Sequence, residues 1–538
     1  MQSRVRFNLI LCLILVLAAG LKLWLLAQDA FPFNADEAVV ALMARHILAG
    51  EHPVFFYGQA YMGSLDAYLV AGAFALFGQA VIAIRAVHIV LYLGTIVTTA
   101  AIGKLAFKSS SIGLLAGLLL ALPAVNTTLY TTASLGGYGE AMLVGSLNLL
   151  VGFIILEDLK NETTHSVRIA ALFLLWGFLA GLGLWANGLT LVFSAPMGIV
   201  LAWIFLRSRR LRASAWMGIL AAIPGFFLGS LPWWLYAMQN GLNLLLTELF
   251  GNAVAVEQDF FLVRIWNHVI NYGIFGLTAA FGLRPPWEVQ WLAVPLIPLV
   301  IIFLGLVGVS AIRLISKKSE YRPAFAVLGG VVLVFTLAFL LTPFGVDPSG
   351  RYFLPLIIPL SLAEAGFILK ILKKPYWQIS CVALVLVFNL WGTLECAAQN
   401  PPGITTQFNP ITVVDQHAMP DLVSFLQANG ETRGYTNYWV SYPLAFLSNE
   451  ELIFTPRLPY QADLRYTRRD DRYAPYDAMV DQSGRTAFIT THAPDLNVKL
   501  REAFTSLGVT WSEKEIGDFQ VFYHLSKSVR PEQLGLGL

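Results

Sequence analysis

Phe7–Ala27 reads FNLILCLILVLAAGLKLWLLA, and the chain then runs QDAFPFNADEA from Gln28 to Ala38. The first stretch is almost unbroken hydrocarbon over the length a helix needs to cross a bilayer. The second brings the acidic pair Asp36-Glu37 to the exit of that helix, where lipid meets water. Arg4 and Arg6 before the apolar run imitate the start of a signal peptide. The run is longer than a usual signal core, however, and many more such runs follow, so it reads as a retained membrane helix.

The composition agrees. Of 538 residues 57% are hydrophobic and 13% charged, and the mean hydropathy is +0.66, values of a polytopic helical membrane protein rather than a soluble globule. The net charge of +2 says little about partners, and no basic tract with interleaved aromatics points to nucleic acid. Cys12, Cys381 and Cys396 form no disulfide framework, and the first two lie inside apolar runs as packing residues.

Eleven spans are expected, at 7–27, 80–103, 111–125, 138–156, 169–186, 188–206, 215–237, 291–312, 323–342, 352–369 and 377–397. One set of connecting loops carries Arg4/Arg6, Lys104/Lys108, Lys160/Arg168, Arg207/Arg209/Arg210/Arg212, Arg313/Lys317/Lys318/Arg322 and Lys370/Lys373/Lys374. The other set has only Arg45, Arg85, Arg264, Arg284 and Arg351. Loops rich in Lys and Arg stay on the cytoplasmic side, so the N-terminus is expected inside and the poorly basic loops outside. The same rule decides the 64–78 segment. Counting it as a span would invert every later loop, so it reads as an interfacial or re-entrant helix in the first outer loop.

Two outer segments are long. Residues 28–79 hold the acidic pair, and residues 238–290 hold Asn252, Glu257, Asp259, Arg264, His268, Arg284 and Trp287 among aromatics, a mixture suited to helices lying in the interface. Pro401-Pro402-Gly403 ends the last span. Beyond it, strand-like runs at Gly434–Trp439, Glu451–Phe454, Thr486–Thr490 and Phe519–His524 alternate with helical patterns at Ala418–Asn429 and Leu496–Leu507. The expected organisation is an all-α polytopic membrane domain over residues 1–397 with interfacial helices in its first outer loop, followed by a small extracytoplasmic α/β domain over 398–538.

Within the first outer loop, Val39, Leu42, Met43, His46 and Ile47 share one helical face, with Gly50 as a stop. Asn34 followed three residues later by Glu37 makes a capping-box pattern. Both acids suit a helix N-terminus through its dipole, so a cap explains Glu37 as well as catalysis does. A cap does not require Asp36, and a carboxylate there could take the proton of an attacking hydroxyl.

The order of these features resembles a known family. One span is followed by Asp36-Glu37 opening a short helix, then Gly50-Glu51-His52-Pro53 and Phe56-Tyr57-Gly58-Gln59-Ala60-Tyr61-Met62-Gly63-Ser64-Leu65-Asp66. An apolar helix ending Leu76-Phe77-Gly78 comes next, with Arg85 seven residues later. This is similar to the GT-C superfamily of polyprenyl-phosphate-sugar transferases. The likeness is greatest to glycosyltransferase family 39, with its protein mannosyltransferases, aminoarabinose transferases and lipopolysaccharide-core galacturonosyltransferases. It covers about 400 residues and is strongest over 30–100.

The resemblance implies an inverting transfer of a sugar from a polyprenyl-phosphate donor to a glycan, lipid or protein acceptor at the outer face of the cytoplasmic membrane. It implies that Asp36 is the base or acceptor-orienting carboxylate, and that a second outer acid exists. Glu140, in Ser134-Leu135-Gly136-Gly137-Tyr138-Gly139-Glu140, fits that second role, though a helix N-terminal acid reads the same way. The glycines allow close backbone approach to a ligand. Arg351, in Gly350-Arg351-Tyr352, is one of the few outer basic residues. Its planar fork matches phosphate oxygens, and snorkelling to headgroups is the plainer alternative. The Arg351-Tyr352 pair also resembles family 39.

Tyr57, Gln59, Tyr61 and Asp66 are candidates for hydrogen bonds to sugar, or simply line an interfacial helix. His268 suits phosphate, a metal or plain packing. No strong metal-ligand spacing appears, which leaves a divalent ion at Asp36, Glu140 and His268 open. Two other classes compete: a transporter or lipid-carrier flippase, which would favour ionisable residues in mid-span and paired broken helices, and a non-catalytic envelope assembly factor.

Overall fold

The computed structural model describes residues 2–159, 166–207, 212–252, 260–286, 290–316, 321–399, 403–407, 411–461 and 463–536. Lys160, Arg209, Arg210, Glu257, Asp259, Trp287, Lys317, Lys318, Pro401 and Pro402 lie outside them. The chain divides into two compact units, one of residues 1–28, 61–66 and 85–396, the other of residues 29–60, 67–84 and 397–538.

The first unit is a bundle of membrane-spanning helices. Among the described residues nine helices are long and apolar enough to cross a membrane: Arg4–Ala27, Val81–Ala106, Tyr138–Asp158, Ser166–Ala186, Gly188–Arg207, Val294–Leu314, Arg322–Leu341, Arg351–Ile371 and Pro375–Ala398. Trp216–Gly229 and Leu231–Asn240 make a tenth if taken as one span bent by 64°. The break falls at Ser230-Leu231-Pro232, where the proline cannot continue the hydrogen-bond ladder. The eleventh expected span, 111–125, is shorter than its apolar run. Its helix is Ser110–Ala121, 12 residues long, and Pro123 stops it.

Small residues hold much of this bundle together. A Cβ at Gly177 or Gly181 would come within 2.1 Å of the Ala222 carbonyl oxygen or 2.0 Å of that of Phe226. Reciprocally, one at Gly225 or Gly229 would meet the Leu174 or Phe178 carbonyl oxygen at 2.2 or 2.1 Å. Each helix thus offers a Gly-x-x-x-Gly face to the other, and the backbones meet directly.

The first span also hides a cation. Lys22 is 1% exposed, and its ammonium donates to the hydroxyls of Thr131 and Thr132 at 2.8 Å each and to the Thr131 carbonyl at 3.0 Å. A polar group inside a span needs such internal partners.

The second unit is mixed α/β. With β1 (Phe55–Phe56) and β2 (Gln59–Gly63) forming a small hairpin, the main sheet contains β3 (Arg433–Tyr435), β4 (Ile453–Thr455), β5 (Ala487–Thr491), β6 (Ser512–Ile516) and β7 (Phe519–Tyr523) in the order β4-β3-β5-β7-β6. β3 runs parallel to β4 and β5, and β7 antiparallel to β5 and β6. Every residue of the central β5 is buried. The edge strand β6 reads SEKEI with its middle three residues exposed, charges that discourage further pairing.

Leu422, Leu426, Val440, Leu444, Phe454, Ile489, Phe519 and Val521 form the core. The expected strand over Gly434–Trp439 ends at Tyr435 instead. Asn437 turns the chain into the helix Tyr438–Leu447 by accepting the Trp439 N–H at 3.0 Å, a cap that overrides the strand preference of the aromatics after it. The helix Ala35–Leu48 packs on Tyr438–Leu447 in this same unit.

Candidate functional site

Asp36 stands in the first turn of Ala35–Leu48. The N-cap is Asn34, whose side chain accepts the Asp36 N–H at 2.8 Å and donates to Thr406 Oγ1 at 2.8 Å. The cap bond runs to the second helical residue, one short of a capping box, so the sequence pattern is corrected here. Glu37 is fully buried, further from solvent than a helix-end acid needs to be.

The Asp36 carboxylate accepts a hydrogen bond from the Tyr438 hydroxyl. Arg472 lies beside both, its Cζ 5.4 Å from the Tyr438 ring and 5.8 Å from that of Phe56. The Gln59 amide oxygen, turned toward it, accepts from Arg472 Nη1 at 2.5 Å and Nη2 at 2.9 Å. Below, the Arg472 N–H donates to the Tyr442 hydroxyl at 2.6 Å, which donates to the Asp470 carbonyl at 3.0 Å. Burial pushes the Asp470 carboxyl up to about 6, against the pull of Arg472 and a hydrogen bond from Tyr460. Tyr57 belongs to a neighbouring network: it meets His46 Nδ1 at 2.9 Å and donates to Glu51 at 3.0 Å. His46 Nε2 in turn meets Glu450 at 2.9 Å.

The membrane-spanning unit holds the other candidates. Asp66 is buried and bonds His88 Nε2 at 3.0 Å while accepting from Ser134 Oγ at 2.5 Å. Glu140 is 1% exposed, and neither carboxyl oxygen has a hydrogen-bond partner. The turn before it needs its glycines: Gly136 and Gly137 have φ of +108° and +75°, and a Cβ at Gly137 would lie 2.9 Å from Glu140 Oε1.

Arg351 pairs with Asp347 at 2.5 Å and stacks over the Tyr352 ring at 5.0 Å. Its turn is pinned by Arg284 donating to the Pro348 carbonyl at 2.6 Å and Asn126 to that of Gly350 at 3.1 Å. Arg351 Nε and the Tyr352 hydroxyl are buried and unpartnered. Tyr352, Tyr61 and Tyr138 border an otherwise mostly apolar cleft walled by Leu189, Val192, Leu249, Phe335, Phe339 and Phe344.

His268 Nδ1 meets the Leu340 carbonyl at 2.9 Å, and a Cβ on Gly345 would strike its ring at 2.4 Å. Among the described residues no three His, Cys, Asp or Glu side chains gather closely enough to hold a metal.

The chain matches no protein-family model and no curated protein by sequence. Solved structures do match. ArnT from Cupriavidus metallidurans bound to undecaprenyl phosphate aligns with a TM-score of 0.58 at 14% identity, over 95% of this chain and 98% of that one. An Archaeoglobus fulgidus oligosaccharyltransferase in complex with Zn and sulfate aligns at 0.56 and 13% identity, over 95% and 72%. The arabinofuranosyltransferase AftD from Mycobacteria aligns at 0.51 and 15%, over 97% of this chain and 40% of AftD. The fold resembles that of GT-C glycosyltransferases.

In the site, the sequence reading missed Tyr438 and Arg472. Both lie 400 residues or more from Asp36 in a stretch with no motif; the sequence signal for Arg472 is an Arg and Tyr-rich loop from Arg465 to Tyr473, and Tyr438 has none beyond the strand-like run Gly434–Trp439.

Proposed function

We propose that this protein is a glycosyltransferase that moves a sugar from a polyprenyl-phosphate donor to an acceptor hydroxyl at the outer face of the cytoplasmic membrane. The observation that carries the reading is the apolar cleft bordered by Tyr352, with the unpartnered Tyr352 hydroxyl and Arg351 Nε beside it. An isoprenoid tail suits the apolar wall, and a phosphate suits buried donors that no protein group serves. The likeness to ArnT, whose structure holds undecaprenyl phosphate, supports it. The distribution of Lys and Arg supports an N-terminus inside and a C-terminal domain outside, where a nucleotide-free donor is the available kind.

In the reaction, Asp36 takes the proton of the acceptor hydroxyl as its oxygen bonds to the anomeric carbon. The bond from that carbon to the phosphate oxygen breaks, and its electron pair leaves with polyprenyl phosphate. Arg351 offsets the charge that grows on the phosphate. A single displacement inverts the anomeric centre. Glu140, with both oxygens unpartnered, serves as the second acid facing the sugar. Asp66 is committed to His88 and Ser134 and orients rather than binds.

The test is purified protein in nanodiscs with a panel of radiolabelled undecaprenyl-phosphate hexoses and pentoses, with membrane extracts supplying acceptor. Transfer of one label, lost in Asp36→Asn and Arg351→Gln, is the expected result. No transfer of any label, together with unchanged envelope glycans in a deletion strain, would sink the proposal.

A further inference from the structure

We infer that the C-terminal domain supplies two positioning residues, Tyr438 and Arg472, to the carboxylate of Asp36. The inference rests on Asp36 being the base, and it gives the C-terminal domain a part in the chemistry.

The geometry is specific. A carboxylate has two oxygens, and the Tyr438 hydroxyl donates to Oδ1, which orients the group and leaves Oδ2 for an acceptor hydroxyl. Tyr438 is itself fixed. It opens its helix directly after Asn437, whose side chain accepts the Trp439 N–H at 3.0 Å and donates to Thr491 Oγ1 at 2.8 Å, at the end of β5. The position of the phenol is therefore set by the central strand of the sheet.

Arg472 carries the positive charge on this side of Asp36. Gln59 takes its two terminal nitrogens, and Tyr442 holds its backbone N–H. That leaves Nε buried and unpartnered, while its charge acts on both Asp36 and Asp470. A guanidinium so held offers a spare N–H to an incoming oxygen.

A plain structural tie explains less. The helix Ala35–Leu48 is already joined to Tyr438–Leu447 through Arg45, which reaches the Phe446 carbonyl at 3.2 Å, and to the turn after it through Arg45 and His46, which reach Glu450 at 3.4 and 2.9 Å. A second tie using the one carboxylate proposed to react would be a costly way to add adhesion.

The experiment measures kcat and donor KM of the full-length protein in nanodiscs, using the labelled undecaprenyl-phosphate sugar that the panel identifies. Variants are Asp36→Asn, Tyr438→Phe, Arg472→Lys and Arg472→Met, plus 3-fluorotyrosine at position 438. Tyr438→Phe is expected to lose about 10- to 100-fold in kcat, the scale of a misplaced reacting group, with donor KM held within about twofold. Arg472→Lys should retain more activity than Arg472→Met. Fluorotyrosine keeps the shape and changes only the acidity of the phenol. It should alter kcat without altering KM or melting temperature, and its ¹⁹F resonance should move in Asp36→Asn.

Wild-type kcat in Tyr438→Phe or the fluorotyrosine protein, with Asp36→Asn inactive, overturns the positioning role and leaves the base reading intact. Full activity in Asp36→Asn overturns the base reading and this inference with it. If Tyr438→Phe does not fold, the fluorotyrosine protein alone decides.

Discussion

Glu140 has an unusual balance of costs. A carboxyl group that is 1% exposed with no hydrogen-bond partner for either oxygen carries a desolvation penalty that the nearby His88 offsets only in part. On the proposed reading, that cost is met when the carboxyl group engages the sugar. Replacing it by glutamine keeps the shape and removes the charge. Glu140→Gln is expected to raise the melting temperature while lowering transfer by about 100-fold, the usual scale for a lost acid–base group. Unchanged transfer in that variant would make Glu140 a packing residue. The residues also show what sequence can convey. Asp36 and Arg351 stood out because each follows or opens an apolar run, and position relative to a bilayer is readable from hydropathy. Glu37 looked like half of a capping box because spacing is visible in sequence and burial is not. Tyr438 resembled strand because aromatics favour strands, and only the Asn437 cap reversed it.

At the scale of elements, the helices Ser166–Ala186 and Arg212–Gly229 meet backbone to backbone through Gly177, Gly181, Gly225 and Gly229. Adding a side chain there forces the pair apart. Gly225→Leu is expected to destabilise the protein by about 1–3 kcal/mol or more, seen as a lower melting temperature in detergent. Gly305→Ala, where no atom lies within 4 Å of the added Cβ, should be tolerated. Both Gly-x-x-x-Gly patterns were present in the sequence, yet a pattern acquires meaning only when its partner helix is known. Hydropathy located the spans well for the same reason it missed this contact: it reports length and greasiness, not which faces pair.

The helix Ala35–Leu48 responds to pH through Glu450. Burial alone would raise the Glu450 carboxyl. Hydrogen bonds from His46 and Tyr476 and the charge of Arg45 outweigh it and hold the group down to about 2, from an ordinary 4.5. A carboxylate depressed on folding contributes stability above its unfolded value and loses it as pH falls toward the folded one. With the intrinsic rate at each pH divided out, amide protection at Arg45 to Leu48 should therefore fall between about pH 4.5 and about pH 2. Glu450→Gln should already exchange faster at pH 6 and show little further change across that window. A wild-type rate at pH 6 in the variant would contradict the assignment.

On the scale of the whole chain, the second unit is assembled from residues 29–60, 67–84 and 397–538. Phe33 and Phe74 both pack on Phe446, with ring centroids 5.7 and 6.0 Å apart, so the loop after the first span shares a core with the C-terminal domain. Truncation after Ala397 is expected to abolish transfer and to expose Ala35–Leu48 to protease, while leaving the spans inserted. Expressed without residues 29–84, the C-terminal stretch should aggregate through the face that Phe446 then exposes. The sheet within that stretch was largely readable, with four of its strands marked by apolar runs. The charged edge β6 was not, because SEKEI has no apolar alternation to notice.

The 402 residues between Asp36 and Tyr438 also set a clock on biogenesis. At ribosomal rates of about 5–20 residues per second, about 20 to 80 seconds pass between the synthesis of the two. During that time the helix Ala35–Leu48 exists without the helix it packs on, Tyr438–Leu447. The Asp36 carboxylate therefore gains its Tyr438 partner only after the span Pro375–Ala398 has been made.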